Sequence, residues 1–112
     1  MNVQQKNLLY DFYGELLTDK QRTCFEMHYM EDMSLTEMAD AAGITPQAAA
    51  DMLKRTGVLL DSYEATLGLV DKHNRQCVLA GQINELLTQA AETGPLALIA
   101  ALRARVEELI NI

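Results

Sequence analysis

The metal chemistry open to this 112-residue sequence rests on Cys24 with His28 and on His73 with Cys77. Each pair is spaced four apart, which on a helix puts both side chains on one face, and together they have the Cys2His2 composition that zinc favours. Structural zinc is usually held in short loops, and two cysteines in a reducing compartment are ordinarily buried small hydrophobes. The reading therefore assigns no metal, no disulfide and no cofactor. A second set, Gln47, Asp51, Lys54 and Arg55, follows Thr45-Pro46. There Gln47 could read an adenine edge and Lys54 with Arg55 could meet phosphates, while Asp51 beside them tempers the charge. Nucleophilic catalysis finds no support: Ser34 falls at a helix cap and Ser62 in mid-helix, with no glycine-rich elbow or phosphate loop nearby. Glu31, Asp32, Glu37 and Asp40 lack calcium-loop spacing and read as a solvated face. No enzyme is expected.

The elements that must carry these residues are helical. Leu8, Leu9, Phe12, Tyr13, Leu16 and Leu17 recur at three-to-four spacing and predict a first helix over 4–17 with one apolar stripe. Thr18-Asp19-Lys20-Gln21 is a capping box, so a second helix starts near Asp19; Cys24, Phe25, Tyr29 and Met30 carry it to about Met30. A polar break at Glu31-Asp32-Met33 precedes a second box, Ser34-Leu35-Thr36-Glu37. The short third helix turns Leu35, Met38, Ala39 and Ala42 inward and ends at Gly43. Thr45 then caps a long fourth helix with Pro46 at its first position, and Ala49, Met52, Leu53, Thr56, Leu60, Tyr63 and Leu67 sustain the stripe to Gly68. Gly57 weakens its middle and is the point where a bend would fall. This punctuation is that of a helix-turn-helix, in which shorter helices form a platform and the last is presented outward.

Beyond Leu69 the pattern changes. Leu79, Ile83, Leu86 and Ala90 form one stripe, Thr93-Gly94-Pro95 interrupts, and Leu96, Ile99, Leu102, Val106 and Leu109 form another. The expected organisation is a helix-turn-helix domain over 1–69 and a C-terminal helical hairpin over 70–112, packed on the first part or on a dimer partner. A homodimer is expected through these stripes.

Composition agrees with an all-α protein: 49% of residues are apolar, Trp is absent, and Gly and Pro together number eight, which argues against disorder. Sixteen acidic residues against nine basic give a net charge of minus seven, which removes the long-range steering that a simple DNA binder uses. Residues 18–56 alone carry minus three. The opening residues lack the layout of a signal peptide and no apolar run approaches the ~20 residues that span a bilayer, so a cytoplasmic protein without membrane insertion is expected.

Leu9-Tyr10-Asp11-Phe12-Tyr13, Leu17-Thr18-x-Lys20-Gln21-Arg22, Tyr29-x-Glu31-Asp32-x-Ser34-Leu35-x-Glu37, Gln47-Ala48 and Lys54-Arg55-Thr56 together resemble the YlxM family of helix-turn-helix proteins over 8–69. The middle of that stretch is also similar to the DNA-binding region four of bacterial sigma factors, and the resemblance implies that fold. Genes of the YlxM family usually neighbour those of signal recognition particle components. The resemblance thus implies a regulatory or accessory part in co-translational targeting, through the particle's GTPase or its RNA, with a DNA-binding transcriptional regulator as the alternative. Where the family commonly opens its fourth helix with Ser-Arg-Gln-Ala, this sequence has Thr45-Pro46-Gln47-Ala48 and lacks the arginine. Gln47, Lys54 and Arg55 remain as the carried-over positions.

Overall fold

The computed structural model describes residues 3–93 and 96–112, and every element among them is helical. The elements are α1 (Val3–Tyr13), a 3-10 turn (Gly14–Leu16), α2 (Asp19–Tyr29), α3 (Leu35–Ala42), α4 (Pro46–Leu67), α5 (Leu69–Thr93) and α6 (Leu96–Ile110). The chain divides between Val70 and Asp71 into two compact units.

In the first unit the helix starts are set by side-chain caps. Thr18 Oγ1 accepts from the Gln21 amide at 3.2 Å while Gln21 Oε1 accepts from the Thr18 amide at 2.9 Å, which satisfies two orphan donors of α2 reciprocally. Ser34 Oγ accepts from the Glu37 amide at 3.1 Å, and Thr45 Oγ1 from the Ala48 amide at 3.1 Å. Gly43 closes α3 at φ +68°, a left-handed conformation that glycine adopts without a Cβ penalty, and the Ile44 amide then returns to the Ala39 carbonyl at 3.0 Å. α4 runs unbroken through Gly57 for 22 residues, or about 33 Å at 1.5 Å per residue.

Two apolar clusters hold these helices. Leu9, Tyr13 and Leu17 pack with Phe25 of α2, Leu60 of α4 and Val70 at the start of α5. Cys24, Met38 and Ala49, with Met27, Met33 and Met52 around them, join α2, α3 and α4. The Tyr10 ring stacks on Phe25 with centroids 4.6 Å apart and 6° between planes, and its hydroxyl donates to the Glu26 carboxylate. Burial, helped by that carboxylate, pushes the Tyr10 phenol up to about 12.

The first helix ends earlier than 4–17 because the backbone tightens at Gly14, where a Cβ would stand 3.0 Å from the Tyr10 ring. The tighter turn swings Leu16 out to 56% exposure and leaves Leu17 buried. Other expected inward positions also face solvent. Met30 lies at the cap beyond the last turn of α2, and Leu67 is the last residue of α4; both are half exposed. Phe12 sits at the edge of the first stripe, and Ala42, the last residue of α3, lines an open cavity.

The start of α5 is fixed by side chains far away in sequence. The Tyr13 hydroxyl donates to Glu64 Oε1 at 2.6 Å and accepts from the Leu69 amide at 3.0 Å, while Glu64 Oε1 also accepts from the Val70 amide at 2.9 Å. Two first-turn donors of α5 are thereby satisfied, and the carboxylate complements the positive end of the helix dipole. Burial, then the bond to Glu64, raises the Tyr13 phenol above its ordinary value.

In the second unit, Leu79 is buried and Ile83, Leu86 and Ala90 are half-buried, as the stripe on α5 predicts. A groove lined by Arg75, Val78 and Gln82 on one side and Ala104, Arg105 and Glu108 on the other sets the early part of α5 opposite the late part of α6. The covered face of α6 is Leu98, Leu102, Arg105 and Leu109, rotated from the expected stripe, so that Ile99 and Val106 are exposed. The expected break at Gly94-Pro95 lies outside the described residues. No helix of the described residues is long and apolar enough to cross a membrane.

Candidate partner-binding face

The N-terminal half of α4 is pinned from below by its own apolar side. Ala49 and Leu60 are each 1% exposed, Thr56 is fully buried with its hydroxyl donating to the Met52 carbonyl at 2.8 Å, and Met52 and Leu53 pack beside them. At 3.6 residues per turn, positions 47, 51, 54, 55 and 58 must then point away. Gln47, Asp51, Lys54, Arg55 and Val58 are all exposed. The four candidate residues therefore share one outward face of one helix.

Their environments differ. Asp51 Oδ2 and the Arg55 guanidinium pair at 3.0 Å, with both side chains more than half exposed, an i,i+4 contact worth a few tenths of a kcal/mol and easily released to another anion. Lys54 has no carboxylate in ion-pairing range among the described residues. Two adjoining grooves run along the line where α4 meets α2. One, of about 370 Å³, is lined by the cap residue Thr18 and by Lys20 and Gln21 of α2, with Ala48, Asp51, Met52 and Arg55 of α4. The other, of about 470 Å³, is lined by Gln21 together with Asp51, Lys54, Arg55, Val58 and Leu59. Gln47 lies on the same face but lines neither groove.

Lys20 and Gln21 are the residues that sequence reasoning did not assign to this surface. They stand inside the capping motif Thr18-Asp19-Lys20-Gln21, which accounts for them locally, and only the crossing of α2 over α4 brings them beside Arg55. The charge distribution gives the surface its character. Eleven acidic and five basic residues precede Asp71, yet Lys20, Lys54 and Arg55 gather along these grooves. Of the remaining two bases, Lys6 Nζ lies 5.2 Å above the Tyr29 ring and Arg22 is bound to Asp19 at 2.6 Å.

The cysteine–histidine pairs are engaged separately. The Cys24 thiol is buried 4.0 Å from the Ala49 carbonyl, and burial pushes its pKa up. His28 Nδ1 lies 3.2 Å from the Met33 carbonyl, and its ring meets Tyr29 edge-on. His73 Nε2 and Cys77 Sγ are 3.5 Å apart on exposed turns of α5. Among the described residues, no three histidine, cysteine or acidic side chains are grouped as metal ligands. Ser34 Oγ is committed to its cap and Ser62 Oγ donates to the Leu59 carbonyl at 2.7 Å.

The profile of UPF0122, described as "Putative helix-turn-helix protein, YlxM / p13 like", matches residues 2–96. The chain belongs to the UPF0122 family. A UPF0122 protein of Symbiobacterium thermophilum is 41% identical over 103 residues, covering 92% of this chain and 96% of that protein. A UPF0122 protein of Caldanaerobacter subterraneus is 49% identical over 80 residues, covering 71% and 68%. One from Geobacillus kaustophilus is 37% identical over 107 residues, 96% of each. The similarity of this UPF0122 chain to its relatives thus extends beyond 8–69, where the motifs lie, into the second unit.

Proposed function

We propose that this UPF0122 chain is a cytoplasmic accessory protein of the signal recognition particle pathway, with α2–α4 acting as a helix-turn-helix of the sigma region-four type. The single observation that carries the docking surface is the gathering of Lys20, Lys54 and Arg55 along the α2–α4 grooves of an otherwise acidic unit. Three cations suit a short stretch of structured RNA or an acidic patch on a protein better than a long duplex track. Gln47 and Asp51 flank them on the same exposed face and supply hydrogen bonding. The family resemblance supplies the pathway, and the particle's RNA or its GTPase is the partner proposed. The test is a pull-down with the tagged chain against the particle's purified RNA and GTPase. Retention of either, lost in a Lys54→Glu/Arg55→Glu variant, is expected; retention of neither, under conditions where the particle itself assembles, overturns the proposal.

A DNA-binding regulator is the second reading, favoured by the solvent-facing first half of α4. It requires a mobility shift on specific duplex DNA, and absence of a shift at low salt removes it. The second unit carries a separate proposal of homodimerisation. Its described residues bury a single large apolar side chain, Leu79, while Val78 and Ile110 remain 60% and 75% exposed. Surfaces of that kind are usually covered by a partner. Light scattering giving the monomer mass at every concentration would refute it.

A further inference from the structure

An open apolar cavity of about 330 Å³ lies next to the groove that contains Arg55, lined by α2, the end of α3 and the first turns of α4. Its volume falls at the lower end of the roughly 300–1,000 Å³ typical of small-molecule sites, and like them it has mostly apolar walls with few polar groups at the rim. Cys24, Met27, Met38 and Met52 line it, with Ile44 at its edge. Methionine walls adapt their shape to an unbranched apolar guest because the side chain has three rotatable bonds and a polarizable sulfur.

The rim is where the cavity becomes selective. Lys20 and Asp19 both border it, but Asp19 is bound to Arg22 at 2.6 Å, whereas Lys20 has no carboxylate partner among the described residues. The first turn of α2 adds the positive end of its dipole at the same point. An apolar interior with one unneutralised cation at its mouth is complementary to a molecule that is apolar along its length and anionic at one end.

We propose that this cavity binds an anionic amphiphile of medium chain length, its tail among Met27, Met38 and Met52 and its head group at Lys20. Lys20 and Met52 border both this cavity and the groove that contains Arg55, so an occupant is in direct contact with the edge of the partner-binding face. Binding is a property of the isolated chain, so its outcome is independent of whether any nucleic acid or targeting component is bound.

The test uses the full chain with 13C-labelled methionine methyl groups, titrated with decanoate well below its micelle-forming concentration. Met30, half exposed and not lining the cavity, serves as the internal control. Saturable shifts of the Met27, Met38 and Met52 methyls with Met30 unmoved are expected. Lys20→Glu is expected to weaken binding by about tenfold or more, the worth of a hydrogen bond to a charged group. Decanol should bind correspondingly less tightly than decanoate. Ala42→Leu, at the exposed end of α3, should block the cavity with the far-ultraviolet helical signal retained. No saturable shift, equal movement of Met30, or equal affinities for decanoate in the native and Lys20→Glu chains would each overturn the proposal.

Discussion

Replacing Tyr13 with Phe isolates the device that starts α5. The ring keeps its place in the core, where Tyr13 is 1% exposed, and only the hydroxyl is lost. That oxygen makes a 2.6 Å bond to the Glu64 carboxylate and takes the Leu69 amide at 3.0 Å. A hydrogen bond to a charged group contributes about 1.5–3 kcal/mol net. Leu69 is 38% exposed, and where water reaches its amide in the variant the second bond adds little. Tyr13→Phe is therefore expected to cost about 1.5–3 kcal/mol. Glu64→Gln keeps an acceptor for the Val70 amide and loses only charge assistance and the dipole term, about 1 kcal/mol. Because the two side chains share one bond, the double variant should cost less than the sum, with a coupling of about 1 kcal/mol or more. Urea unfolding of the full chain followed by circular dichroism gives the energies, and amide exchange at Leu69 and Val70 gives the location. A Tyr13→Phe cost below about 0.5 kcal/mol, the range of an ordinary surface change, with unaltered exchange at both amides would refute the reasoning.

Gly14→Ala should destabilise by about 1–2 kcal/mol in the same unfolding assay, because the new methyl meets the Tyr10 ring at 3.0 Å and that ring is held by Phe25 and Glu26. The Tyr10 phenol is raised from 10 to about 12, so its folded form holds the proton more tightly than the unfolded chain does. Its stabilising contribution is full below pH 10 and disappears as pH climbs through about 12; tyrosinate absorbance, differenced against Tyr10→Phe, should rise near the upper value. If the α2–α4 grooves bind nucleic acid through Lys20, Lys54 and Arg55, log affinity should fall against log salt with a slope of about −2 to −3, and Lys54→Gln should reduce that slope by about one phosphate. A slope near zero, measured by fluorescence anisotropy, would remove the phosphate contacts.

The parts of this fold that were legible in the sequence are those fixed within a few residues. Thr18 with Gln21, Ser34 with Glu37, Gly43, and Thr45 with Pro46 each announce a helix end because the hydrogen bond they make spans three or four positions. The outward face of α4 was legible for the same reason: its buried side repeats at Ala49, Met52, Leu53, Thr56 and Leu60, and the opposite side follows by geometry. What depends on distant residues was not. Tyr13 and Glu64 lie 51 positions apart, so nothing local marks Glu64 as the cap of α5. Lys20 and Gln21 become part of a surface only when α2 crosses α4. The rotation of α6, which exposes Ile99 and Val106 in place of Leu98 and Arg105, depends on which side of that helix α5 covers, and a Leu/Ala-rich stretch offers nearly equal stripes in more than one direction.

The anchoring of Leu69 and Val70 has a practical meaning for anyone dissecting the molecule. Val70 fills the core beside Tyr13 and Leu60, and its amide neutralises part of the demand of a half-buried carboxylate. Severing the chain ahead of these two residues would open a hole among the aromatics and leave Glu64 without one of its donors. An amino-terminal fragment must carry the opening turn of the following helix if it is to behave like the parent.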